Sequence, residues 1–149
     1  MSVSASISWT IHKKNDALTQ PEIIKLLLKS GWSINDHDEM SYLPLHDNEM
    51  YNWQREPINE DKLFKILTEK AKLKEPLGVC ITWKDTNIGG SLLILSDTEL
   101  SLGININRKT IALCNDTVIT DVNWYLSKIN PILSYGNGII ITSTNFNEM

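Results

Sequence analysis

The chain has 149 residues, 42% of them apolar and 21% charged, with only 7 Gly and 5 Pro. That composition describes one globular domain spanning residues 1–149 and excludes a disordered, collagen-like or disulfide-stapled chain. A formal net charge of −4 argues against a general binder of phosphate backbones.

Residues 5–12 alternate apolar and polar, so Ile7, Trp9 and Ile11 share one face of a half-buried strand. Thr19 and Glu22 then form a capping box around Pro21, opening a helix through Ile23, Ile24, Leu26, Leu27 and Leu28 that Gly31 should close. Residues 33–61 lack sustained periodicity and are rich in turn formers, which predicts an ordered surface loop region. Within it only Tyr42-Leu-Pro-Leu45 is extended, with Pro44 marking an edge position.

Asn59 caps a second helix, with Glu60 and Asp61 at its start, Lys70, Lys72 and Lys74 near its end, and Leu63, Phe64, Leu67 and Ala71 facing inward. Strands follow at Leu77–Trp83 and Ser91–Leu95, around a turn expected at Asn87-Ile-Gly-Gly90. Leu100, Leu102, Ile104 and Ile106 alternate along the next strand, and Thr110–Leu113 supplies a shorter one. A third helix starts at Thr120 or Asp121 and should end or kink before Pro131. Gly136-Asn-Gly138 turns the chain into a last strand at Ile139–Thr142. Strands clustered in sequence, with helices at intervals, predict an α+β fold: one mostly antiparallel sheet of five to six strands with about three helices packed on it.

The start of the chain has neither the basic nor the apolar region of a signal peptide, and no window approaches the ~18 apolar residues of a membrane span. Cys80 and Cys114 lie in apolar runs and are expected to be buried and reduced, as in a cytoplasmic protein. Among the tryptophans, Trp9, Trp83 and Trp124 read as core, Trp32 as packed against the end of the first helix, and Trp53 as the most exposed.

Catalytic signatures are sparse. Gly89-Gly90 lacks the Lys-Ser/Thr of a phosphate loop. His37 between Asp36 and Asp38 has no second ligand pair at metal-binding spacing, so neither metal nor cofactor is expected. A hydrolase would have to use His46 and Asp47, and a nucleic-acid or nucleotide-binding regulator would have to use Asn105, Asn107, Arg108 and Lys109. The stronger signal is charge. Residues 36–61 hold Asp36, Asp38, Glu39, Asp47, Glu49, Glu56, Glu60 and Asp61 against the single base Arg55, a net of −7 in a chain of −4. Such a segment is either a solvated surface or a docking face for a basic protein, with Tyr51 or Trp53 as aromatic anchor.

Several short runs carry a family likeness. Tyr42-Leu-Pro-Leu-His-Asp47, Trp53-Gln54, Gly78-Val-Cys-Ile-Thr-Trp-Lys-Asp-Thr86 with Gly89-Gly90, Ile104-Asn-Ile-Asn-Arg-Lys109 and Thr120-Asp-Val-Asn-Trp-Tyr-Leu126 resemble immunity proteins of bacterial polymorphic toxin systems, the contact-dependent growth inhibition type included. The resemblance implies a small cytoplasmic, cofactor-free, non-enzymatic protein that binds a cognate toxin domain. That domain is often a basic nuclease, and the immunity protein blocks its active site or substrate access without itself contacting nucleic acid or membrane. Toxin-binding surfaces diverge within such proteins, so the resemblance assigns no interface residue.

Overall fold

A computed structural model describes residues 4–14, 18–134 and 138–148. Among these the order is β1 (Ala5–Lys13), α1 (Gln20–Lys29), β2 (Trp32–Ser33), β3 (Glu39–Tyr42), β4 (Gln54–Pro57), α2 (Glu60–Lys72), β5 (Leu77–Trp83), β6 (Gly89–Ile94), β7 (Glu99–Ile106), β8 (Thr110–Ala112), β9 (Val118–Thr120), α3 (Val122–Ser134) and β10 (Ile139–Glu148). The fold is α+β. One antiparallel sheet runs β10-β1-β7-β6-β5-β3-β4, β2 also pairs with β5, and β8 and β9 form a separate hairpin.

Register explains which face became the core. Phe146, Ile7, Leu102, Leu92, Val79 and Tyr42 are successive partners across the sheet, so they line one face. Ile23, Ile24 and Leu27 of α1, Leu63 and Leu67 of α2, and Tyr125, Ile129 and Leu133 of α3 join the same apolar cluster. Each such side chain, fully buried, contributes about 1.5–3 kcal/mol. The neighbouring row, Asn147, Ser6, Gly103, Ser91 and Cys80, faces the other way and is small and polar.

The first two helices begin as the sequence predicts. Thr19 and Glu22 make the capping box, and Asn59 Oδ1 accepts the Lys62 N–H at 3.1 Å. Six expectations need correction. The sheet has eight strands rather than five or six, because residues 33–61 contribute β2, β3 and β4. These strands are two to four residues long, too short for a visible period. Gly89-Gly90 lies inside β6 and not in the turn. A Cβ at Gly89 would stand 1.9 Å from the Ile81 carbonyl oxygen, and one at Gly90 2.1 Å from that of Gly103, so close backbone approach requires both.

The third helix runs through Pro131 to Ser134. Burial of Ile129 and Leu133, on either side of the proline, offsets a penalty of about 3 kcal/mol. Cys80 is buried as expected, but Cys114 is exposed, since β8 leaves the main sheet and pairs only with β9. The last strand continues beyond Thr142 to Glu148; Gly136 and Asn137 of the turn before it lie outside the described residues. Among the tryptophans, Trp9 and Trp32 are buried, whereas Trp83 and Trp124 are only half-buried. Trp32 meets both rings edge to face, and the Lys128 ammonium lies over the Trp83 ring at 5.1 Å. No helix among the described residues is long and apolar enough to cross a membrane.

Candidate partner-binding face

The β3–β4 hairpin and its 43–53 loop form one edge of the sheet and carry the acidic segment. The first foot of the loop is tied to the end of α2 and to the turn that follows it. The buried Lys70 ammonium donates to the Pro44 carbonyl at 2.7 Å and pairs with Glu75 at 3.3 Å, while Glu75 accepts the His46 N–H at 2.8 Å. Asp47, only 8% exposed, accepts the backbone N–H groups of Tyr51 and Asn52 at 2.8 and 3.0 Å. Its carboxylate therefore serves as the internal cap of the loop.

That cap holds an unusual backbone. His46, Asn48, Glu49 and Tyr51 all have positive φ, four of the eleven such non-glycine residues described. Each left-handed residue costs about 1–2 kcal/mol, least for Asn and Asp. Strain concentrated in one loop has to be offset by the contacts that hold it, the Asp47 cap among them.

The eight acids divide into two groups. Asp36 is buried, bonded to Arg55 at 3.1 Å and to His37 Nδ1 at 2.6 Å. Glu39 takes the same guanidinium at 3.0 Å, and together these carboxylates raise the Arg55 pKa, Glu39 contributing most. Glu56 accepts from Lys62 at 2.8 Å and from the Tyr42 hydroxyl at 2.8 Å, and these bonds hold its carboxyl below the usual range, Lys62 first. With Asp47, these four are internal structure. Asp38, Glu49, Glu60 and Asp61 are exposed and carry the outward charge.

The aromatic anchors separate in the same way. The Trp53 ring lies on Gly78, where an added Cβ would come within 3.0 Å of it, so Trp53 is half-buried against β5. Tyr51 is 46% exposed, beside Met50 at 69%, and Ile58 is exposed at the other end of the hairpin. Neither Met50 nor Ile58 was singled out by the sequence, because an apolar residue between acids carries no periodicity. A cleft of about 340 Å³ opens behind Tyr51, lined by Leu43, Asp47, Lys70 and Glu75 among others.

The residues of the alternative readings have partners within the chain. His46 Nδ1 lies 3.4 Å from Glu75, while both Asp47 oxygens are taken by backbone, so the two do not form a dyad. Asn105 donates to Ser91, Asn107 to the Asn87 carbonyl, and Arg108 to Thr120 and Glu148. Among the described residues no three His, Cys, Asp or Glu side chains converge as a metal site. No protein-family model, curated protein or solved structure matches the chain.

Proposed function

We propose that the protein is a toxin-neutralising immunity protein, acting in the cytoplasm, that binds a basic toxin domain of the nuclease class through its 37–61 face. One observation carries the reading: exposed acids stand beside exposed apolar residues at both ends of the hairpin, Glu49 with Met50 and Tyr51 on the loop capped by Asp47, and Asp38, Glu60 and Asp61 with Ile58 at the other end. A nuclease holds phosphates with positive charge, so an acidic inhibitor competes for the surface that its substrate uses. A loop fixed before binding spares ordering entropy on association. The family likeness of the short runs between Tyr42 and Leu126 points the same way.

The test is co-expression with the toxin domain encoded beside this gene. The wild-type chain should restore growth. The quadruple variant Asp38→Lys, Glu49→Lys, Glu60→Lys, Asp61→Lys should lose protection and bind more slowly at low salt, with its melting temperature retained. Full protection by that variant, with unchanged on-rate and salt dependence, would overturn the reading.

A further inference from the structure

Among the described residues three charged side chains are buried: Asp36, Asp47 and Lys70. Two of them are answered within the chain, Asp36 by Arg55 at 3.1 Å and Lys70 by Glu75 at 3.3 Å. Asp47, 8% exposed, forms no ion pair among the described residues. Its oxygens accept only the neutral N–H groups of Tyr51 and Asn52. A carboxylate is almost never fully buried unless it is paired, so its charge lacks a counterpart.

The same carboxylate lines the cleft of about 340 Å³ behind Tyr51. That volume lies at the lower end of the roughly 300–1,000 Å³ of ligand sites, so it suits one large side chain rather than a peptide. Leu43, Pro76 and Tyr51 give the cleft apolar wall. Its charged lining is three carboxylates, Asp47, Glu49 and Glu75, against two ammonium groups, Lys70 and Lys74. The Lys70 ammonium is taken up by Glu75 and the Pro44 carbonyl, and Lys74 is exposed to water. The balance that remains is negative and centred on a buried group.

We propose that this cleft receives one arginine side chain of the basic partner, a step that rests on the function proposed above, and that the guanidinium answers Asp47. Each Asp47 oxygen accepts one N–H and keeps a further lone pair, so a forked donor finds two acceptors. The guanidinium is planar, weakly hydrated and stacks on aromatic faces, which suits a cleft walled by Tyr51. A lysine ammonium is a strongly hydrated point charge with no plane to lay on that ring. The Asp47 cap forms the cleft before the partner arrives, so little ordering is left for binding.

The probe is N-acetyl-arginine methylamide, titrated into the full chain and followed by the backbone amide resonances. Saturable shifts at Asn48, Tyr51 and Asn52 are expected, with the lysine analogue binding severalfold more weakly. The citrulline analogue, of the same shape without the charge, should not saturate. Tyr51→Ala should weaken arginine binding about tenfold with its melting temperature retained. Asp47→Asn should abolish it; should that variant disturb the loop, citrulline against the wild type decides, because it removes the charge from the ligand instead. Arginine binding no tighter than citrulline, or shifts away from the cleft, overturns the proposal. Glu60→Lys with Asp61→Lys should leave probe binding unchanged while slowing toxin association. Protection from the toxin without arginine binding refutes the cleft alone, and arginine binding without protection refutes the toxin reading alone.

Discussion

Replacing Asp47 by alanine removes the two bonds that organise the 43–53 loop. The carboxylate accepts the Tyr51 and Asn52 N–H groups at 2.8 and 3.0 Å, and hydrogen bonds to a charged group contribute about 1.5–3 kcal/mol each. The gross loss is therefore about 3–6 kcal/mol. Part of it returns as the freed loop relaxes from positive φ at Glu49 and Tyr51, each worth about 1–2 kcal/mol. A net destabilisation of about 1–2 kcal/mol is expected. Asp47→Asn should fall between wild type and alanine, since its amide oxygen can accept one N–H while its NH₂ opposes the other. Urea melts give the free energies, and tryptophan emission reports whether Trp53 leaves its seat on Gly78. If both variants melt within about 0.5 kcal/mol of wild type, the size of a bland surface change, the loop is not held by Asp47 and the argument fails.

The tryptophans give a ranking: Trp9, 1% exposed and bonded to Asn130 at 2.7 Å, should cost about 3–5 kcal/mol when cut to alanine. Trp53→Ala should cost clearly less in the same urea melts, since its half-buried ring lies at the loop and outside the main cluster. Glu56 predicts acid sensitivity. Its folded pKa is depressed by Lys62 and Tyr42, so its contribution is present above the ordinary value of 4.5 and lost as pH falls through the folded one. The melting-temperature gap between wild type and Glu56→Gln should narrow as pH falls below the ordinary value of 4.5, and a pH-independent gap would refute the linkage.

The parts of the fold legible in the sequence are those long enough to show a period or a cap. Strands β1 and β7 alternate over eight to nine residues, β5 is a mostly apolar run of seven, and the starts of α1 and α2 carry their capping residues in plain view. Strand β2 is too short at two residues to show a period, and β3 and β4 were illegible because Arg55, reaching Asp36, Glu39 and Ser41 across the hairpin, does what a hydrophobic pattern does elsewhere. Pro131 misled because local propensity was outweighed by Ile129 and Leu133 packing on the sheet. In the candidate face the total charge was legible and its division was not. Whether an aspartate turns inward to cap backbone, as Asp47 does, depends on the positive φ values around it, which no spacing reports.

That division has a consequence for how a basic partner is steered. Lys62 answers Glu56, and Arg55 answers one of the two charges of Asp36 and Glu39, so the remaining charge of that pair adds to the Glu39–Pro57 end and the outward field comes from two places. Glu49 projects from the loop beyond the Tyr42–Gln54 end of the hairpin; Asp38, Glu60 and Asp61 flank the Glu39–Pro57 end. Four strand residues separate the ends by roughly 13 Å, more than the ~8 Å over which charge acts at physiological ionic strength. The two lobes are then screened from one another, and each must meet its own basic cluster, with Met50 and Tyr51 at one end and Ile58 at the other. Reversal of Glu49 and reversal of Glu60 with Asp61 should slow association independently, their effects on ln kon adding in physiological salt. Dilution of the salt should bring coupling as the screening length grows toward ~30 Å. Strong non-additivity in physiological salt would mean that the partner reads a single continuous patch, and the two-lobed assignment would be wrong.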